Sequence, residues 1–305
     1  MTPIKNRYSI IMAVDCLGGN PNGDPDADNM PRTEPDGHGL ISSQAVKRVT
    51  RDTWQQTGNP IIQIRGSIIQ KEVAKMIGDY KAKKGKNPPQ EVLDELRDKS
   101  CKGYLDVRSF GQVFTEGVQI RGAVQIDNLR SVHPIDIQTQ CLTRCWGTDS
   151  SAKGKTAEEI GDMQNEGESG KSQTMGRKHH ITYGLYMGMA YVIPANADLT
   201  GFSEEDLGTL REAFHYGYEN LRSSSKGQMT LHSDKSFVFR HVGEDEKQGR
   251  LGVMKDSDIR SIVMSKVTLK DGVDVPKSIN DYNFPTLEEL QAIFRPKGIE
   301  VETVF

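Results

Sequence analysis

Asp24-Pro-Asp-Ala-Asp28 sets carboxylates at alternate positions of a turn-rich segment, a spacing with which a loop can grip a hard cation. As a calcium loop it fails, because Asn29 stands where the sharp turn needs glycine and Pro35 where a bidentate glutamate is required. A looser magnesium site stays open, beside a loop whose Asp and Asn side chains bond their own backbone. Asn165-Glu-Gly-Glu-Ser-Gly-Lys-Ser172 ends like a phosphate-binding loop, but Asn165 replaces the first glycine and no buried strand precedes it. A solvated loop tip accounts for it better. His179 and His180 are adjacent, so on a strand they face opposite ways and cannot share one ion. Cys16, Cys101, Cys141 and Cys145 form no C-x-x-C pair and read as reduced, ordinary cysteines. A Gly-x-Ser-x-Gly elbow is absent. As a catalyst the chain is a poor candidate.

Thr174-Met-Gly-Arg-Lys-His-His180 offers a different chemistry. Its Lys and Arg neutralise phosphates, and a flexible apolar Met can wedge beside an unstacked base. An ordinary solvated basic turn has the same composition. The net charge of −3 argues against a uniformly basic binder, yet phosphate recognition needs only a local basic surface. That segregation is present. No Asp or Glu stands between Ser169 and Ala197, where Lys171, Arg177 and Lys178 lie. Gly37 to Arg51 is also free of acids and ends in Lys47, Arg48 and Arg51. Arg108-Ser-Phe-Gly-Gln-Val113 faintly echoes the base-stacking strand of RNA recognition motifs, without its glycine and second aromatic. Phe110 there reads as core before platform.

These residues need elements to hold them. Tyr8–Cys16 is β-branched and apolar, so it predicts a strand that runs into a Gly/Asn/Pro/Asp loop from Leu17 to Leu40. Ser42-Ser43 then predicts a capped helix through Gln55, with Val46, Val49 and Thr53 on one face and Lys47, Arg48 and Arg51 on another. Gly66 to Lys102 reads as charged helix, interrupted at Gly85–Pro89, and from Tyr104 the texture turns strand-like. Thr148 to Gln173 is polar between two strand-like arms, which predicts a projecting hairpin. Ser203-Glu-Glu-Asp206 opens a second helix with Leu207, Leu210, Phe214, Tyr218 and Leu221 as its buried stripe. Lys235–His241 is a further strand, and Thr286-Leu-Glu-Glu289 caps a short last helix. The order fits an α+β, ferredoxin-like sheet with helices on one side, enlarged by insertions. With no apolar signal core at the N-terminus and no run long enough to span a bilayer, a cytoplasmic protein without membrane contact is expected.

Several segments together resemble the backbone subunit of type I-C (or related I-B) CRISPR Cascade, a family of the RAMP superfamily. They are Asn20-Pro-Asn-Gly-Asp-Pro-Asp26 with Asn29-Met-Pro-Arg32, Asp106-Val-Arg-Ser-Phe-Gly111, Ser131-Val-His-Pro-Ile135 with Leu142-Thr-Arg144, and Met175-Gly-Arg-Lys-His179 leading to Tyr183-Gly-Leu-Tyr186. Gly122-Ala-Val-Gln125 departs from the family's usual Gly-Pro-Val-Gln. The resemblance implies a palm derived from the RNA recognition fold, residues 1–60 and 104–243, carrying a β-hairpin thumb around 143–182. It further implies helical fingers at 61–103, while residues 244–305 carry no matching motif and are expected as a C-terminal extension packing on the palm. Copies would stack head to tail along a guide RNA (crRNA), beside other Cascade subunits, and present the spacer for pairing with target DNA.

The residues expected on the RNA are Asn20, Asn22, Gly23, Lys47, Arg48, Arg51, Arg108, Arg144, Met175, Arg177, Lys178 and His179. No catalytic residue, metal or cofactor is expected. The first rival is a metal-dependent endoribonuclease of the type III backbone kind, using an acid of the Asp-rich loop. Others are a processing endonuclease with His179 as general base, and an RNA-binding protein outside CRISPR systems.

Overall fold

The structure, a computed structural model, describes residues 2–78, 88–143, 156 and 175–305. Strand β1 (Tyr8–Leu17) leads to the short pair β2 (Gly23–Asp24) and β3 (Met30–Pro31), then β4 (His38–Ile41) and helix α1 (Ser43–Gln56). Helices α2 (Ile69–Ile77), α3 (Gln90–Gly103) and α4 (Leu105–Phe110) follow. Next come β5 (Gly111–Val113), β6 (Gln119–Arg121), β7 (Val124–Ile126), β8 (Leu129–Pro134) and the paired arms β9 (Ile137–Thr143) and β10 (Met175–Ile181). Strand β11 (Tyr183–Val192) re-enters the body before α5 (Pro194–Thr200), α6 (Glu204–Gly217), β12 (Gln228–Leu231) and β13 (Phe237–His241). The C-terminal part adds α7 (Glu246–Leu251), α8 (Asp256–Met264), β14 (Thr268–Leu269), β15 (Tyr282–Asn283), α9 (Leu287–Phe294) and β16 (Ile299–Thr303).

The main sheet is antiparallel, in the order β16-β13-β1-β11-β8-β4, with β12 also on β1 and β7 on β11. β1 is buried on both faces, which is why it reads as an unbroken apolar run rather than an alternating one. Ile10, Met12 and Val14 point to a core closed by α1 and α6, where Trp54, Leu210 and Phe214 pack. Ile11 and Ala13 point to a second core built with Ile259, Val263, Leu290 and Phe294. The helices on this second face come from the C-terminal part, for which the sequence carried no motif. Capping is as read: Ser42 accepts from Ala45 N, and Ser203/Asp206 and Thr286/Glu289 form full capping boxes.

One stretch folds differently from its texture. Leu105–Phe110 is a helix, and all of its residues are buried, so no amphipathic period marked it. Of the echo of an RNA-stacking strand at Arg108–Val113, only Gly111–Val113 is a strand, and Phe110 closes the helix before it. Phe110 is core, stacked on Trp54 with ring centroids 5.3 Å apart. Ile62, Val73, Leu96, Val107, Val118 and Ile120 belong to a third, smaller core, which joins α2 and α3 to α4 and β6.

The seam between β1 and the C-terminal part holds Ser9, His241 and Asp256, a trio that resembles a hydrolase triad. Its hydrogen bonds run the wrong way for one. Val253 N donates to His241 Nδ1 at 3.0 Å, which leaves the proton of the neutral ring on Nε2, 3.2 Å from Ser9 Oγ, while Ser9 donates to Asp256. His241 thus has no free lone pair with which to take a proton from Ser9.

Burial pushes the His241 imidazole down to about 4 from 6.5, Asp256 working against this shift and Arg7 with it. Because the folded state resists protonation, stability is greatest above about pH 6.5 and falls as the pH drops toward 4. We expect a loss on the order of 2–3 kcal/mol across that window. Urea unfolding at a series of pH values measures it, and His241→Gln should remove most of the slope.

Candidate nucleic-acid interface

The elements that carried chemistry in the sequence meet at one end of β1. Gly18 N donates to Thr182 O at 3.2 Å and Ile181 N to Gly19 O at 2.8 Å, so the early loop is tied to the base of the hairpin. Asn20 N donates to Ser225 O and Lys226 Nζ to Pro21 O, which locks the loop from its other side. The contact with this 223–227 turn is close: a Cβ on Gly19 would lie 1.9 Å from Lys226 O.

Within the loop the polar side chains serve the loop itself. Asn20 Nδ2 donates to Asn29 O at 2.6 Å, and Asn22 Oδ1 accepts from Ser42 N at 2.8 Å, fixing the start of α1. A Cβ on Gly23 would lie 2.0 Å from Asn29 Oδ1, so a larger residue there would have to displace that side chain. Asp24 pairs with Arg32 at 3.2 Å and accepts from Asp26 N, while Asp36 holds His38 and Arg130. Asp28 and Asn29 take the left-handed conformation, φ 52° and 57°, which aims Asp28 at the hairpin. His179 receives it there, Nε2 lying 3.4 Å from Asp28 Oδ2 with Nδ1 2.9 Å from Thr139 Oγ1. His179 is therefore a latch between loop and hairpin.

The hairpin pairs Arg177 with Cys141 and Lys178 with Gln140. Alternation along β10 puts Arg177 on the side of His179 and Ile181, toward the early loop, and Lys178 on the opposite side. Arg177 is exposed and Lys178 partly so, and neither has an acid partner among the described residues. Met175 begins β10. Arg144, the expected hairpin tip at residues 148–173 and the loop at 165–172 lie outside the described residues.

The basic helix divides its cations. Arg51 is buried and donates from Nε to Asp106 Oδ2 at 3.0 Å, burial lowering its pKa against that carboxylate. Arg48 lies 2.6 Å from Asp52 and donates to Gln63 O. Lys47 has no acid partner among the described residues. It sits 5.7 Å from the centroid of the Phe110 ring, half-buried, and burial together with Arg51 lowers its pKa. It lines a groove of about 350 Å³ with Gln44, Gln63, Phe110 and Gln112. A phosphate there would restore the counter-charge that Lys47 lacks.

Arg108 is placed in the interior. It forks onto Asp206 at 2.8 and 3.0 Å and donates to Cys101 O, joining α4 to α6. Of the cations expected on the RNA, Lys47, Arg177 and Lys178 thus have no acid partner among the described residues, whereas Arg48, Arg51 and Arg108 are engaged within the chain. The sequence reading missed Lys226 and the Ser223–Gly227 turn, whose Ser-Ser-Ser-Lys-Gly composition was the available signal.

Comparison with known proteins bears on the same chain. The family model described as CRISPR-associated protein Cas7 matches residues 6–286. A curated relative, CRISPR-associated protein Cas7 of Haloferax volcanii, is 31% identical over 111 residues, 36% of this chain and 33% of that protein. The match thus spans about a third of that relative's length. Among solved structures, a chain of a CRISPR RNA-guided surveillance complex, pre-nicking, aligns with TM-score 0.49 at 15% identity, covering 77% of this chain and 78% of that one. A chain of a CRISPR RNA-guided surveillance complex aligns with TM-score 0.42 at 16% identity, covering 77% of this chain and 69% of that one. By the match over residues 6–286, the chain belongs to the CRISPR-associated protein Cas7 family.

Proposed function

We propose that this chain is a backbone subunit of a CRISPR interference complex, binding guide RNA without sequence preference and presenting it to target DNA. One observation carries the reading: Arg177 and Lys178 project from opposite faces of the hairpin, without an acid partner among the described residues, where His179 latches that hairpin to the early loop. Cations free of acids and set along a backbone-sized surface suit phosphates, which are the same for every spacer. Family membership supplies the CRISPR setting.

The palm is read as ferredoxin-like, comprising residues 1–60 and 104–243. The strand order β13-β1-β11-β8 supports this, with α1 and α6 on one face. The segment at 61–103 would be the fingers, the β9–β10 hairpin the thumb, and 244–305 an extension that covers the second face. Head-to-tail contacts that do not close would make a filament along the guide, alongside other subunits of the complex, in the cytoplasm.

The subunit would do no chemistry of its own. In the early loop Asp24, Asp28 and Asp36 are held by Arg32, His179 and Arg130. The assembled complex should therefore leave complementary RNA intact in magnesium, and cuts at regular spacing would instead favour the ribonuclease reading. Titration with several RNAs of unrelated sequence should give affinities within a few-fold of one another. A strong preference among them would contradict backbone recognition.

A further inference from the structure

The groove of about 350 Å³ beside Lys47 lies between α1, the Gln63 segment that follows it and the β5–β6 pair. No Asp or Glu lines it among the described residues. Its cations are Lys47, which has no acid partner there, and Arg51, which Asp106 takes. Its other polar side chains are carboxamides, those of Gln44, Gln63 and Gln112. Such a wall suits a ligand with one negative charge and neutral groups that hydrogen-bond.

Two of these carboxamides are fixed. Gln63 Nε2 donates to Gln112 Oε1 at 2.6 Å, and Gln112 Nε2 donates to Val113 O at 2.9 Å. This relay sets the orientation of both amides and leaves Gln63 Oε1 as an acceptor that no described residue uses. The backbone beneath is equally constrained. A Cβ on Gly111, where φ is 80°, would lie 2.2 Å from Ile120 O, so the closure of β5 on β6 that seats Gln112 depends on this glycine.

The groove offers no platform for a base. The Phe110 ring is stacked on Trp54, and the Arg51 guanidinium lies over it at 5.0 Å, so both ring faces are taken. Val113, two-thirds exposed, makes the rim apolar.

We propose that this groove holds one sugar-phosphate unit of a bound RNA strand and selects ribose over deoxyribose, the 2′-hydroxyl donating to Gln63 Oε1 and the phosphate resting on Lys47. The proposal rests on the RNA-binding reading above and adds to it a choice of sugar without a choice of base. Space allows it, since a cavity of roughly 150 Å³ takes up one benzene ring and the groove has more than twice that. The 2′-hydroxyl is present at every nucleotide of any RNA, and it is the group by which a protein tells RNA from DNA. A deoxyribose would leave the fixed Gln63 oxygen without a donor. A bare phosphate would satisfy Lys47 and leave the carboxamides unused.

The test uses the full chain freed of RNA and two strands of one mixed sequence and length, RNA and its 2′-fluoro analogue. The analogue keeps the phosphates, the bases and the sugar pucker and lacks only the hydroxyl. The wild-type chain should bind the RNA about tenfold more tightly. In Gln63→Met, which keeps the side chain's length and removes its amide, that ratio should fall to within about twofold. The salt dependence for RNA should stay as steep as before, because no phosphate contact is lost. Val113→Trp adds bulk at an exposed rim position where the sugar would enter, and it should lower the ratio likewise. Equal binding of both strands by the wild-type chain overturns the proposal and leaves phosphate recognition standing. A ratio that persists in whichever variant folds, as judged by circular dichroism, overturns the assignment to this groove. Failure of the wild-type chain to bind either strand would instead refute the RNA-binding reading, and the sugar selection with it.

Discussion

Replacing Lys47, Arg177 and Lys178 together by alanine should lower affinity for guide RNA by about two orders of magnitude at low salt. It should also flatten the plot of log affinity against log salt by about 2, since each single-strand phosphate contact contributes roughly 0.7 to the slope. The physical reason is the absence of competing partners. These ammonium and guanidinium groups have no carboxylate within reach among the described residues, so a phosphate is their natural counter-charge. Folding should change little, because none of the three gives up an ion pair with another described residue, although Lys47 loses its contact with the Phe110 ring. Fluorescence anisotropy over a salt series, with urea unfolding as the control, separates these effects. Unchanged slope and affinity would remove the three residues from the interface.

The second large effect is expected in stability. Asp106 is fully buried and accepts from Arg51 Nε, Ile62 N and Gln63 N at 3.0, 2.9 and 3.2 Å. Asp106→Ala would strand the Arg51 guanidinium in the interior and leave two backbone donors unmet. Breaking a buried pair in this way costs about 3–5 kcal/mol. The midpoint of urea unfolding should shift accordingly, whereas Lys47→Ala should shift it by less than about 1 kcal/mol. An equal, small effect from both would mean that Arg51 is free for RNA after all.

This contrast also marks what could be read from the chain. Lys47, Arg48 and Arg51 look alike in sequence, and their differing fates depend on Asp52 within the helix and on Asp106, 55 residues away. Local patterns carried the local structure well. Ser42, Ser203 and Thr286 cap the helices expected of them, and the two arms around residues 144–174 pair as strands.

Where long-range burial decides, the pattern fell silent. Leu105–Phe110 is helical because Asp106 and Arg108 find Arg51 and Asp206, and a helix buried all round shows no period. In sequence the early loop offers a set of donors for RNA, yet in the fold Asn20 and Asn22 hold the loop and the start of α1. Lys226 went unnoticed because its importance comes from Gly19 and Pro21, which meet it only in the fold.

As a backbone subunit the chain would coat a guide RNA. Co-expressing it with a CRISPR array and its companion subunits, purifying through the chain and sizing the bound RNA tests this most directly. A large complex holding RNA of one uniform length that carries spacer sequence is expected. Recovery of the chain without RNA, or with RNA of mixed origin and length, would contradict it.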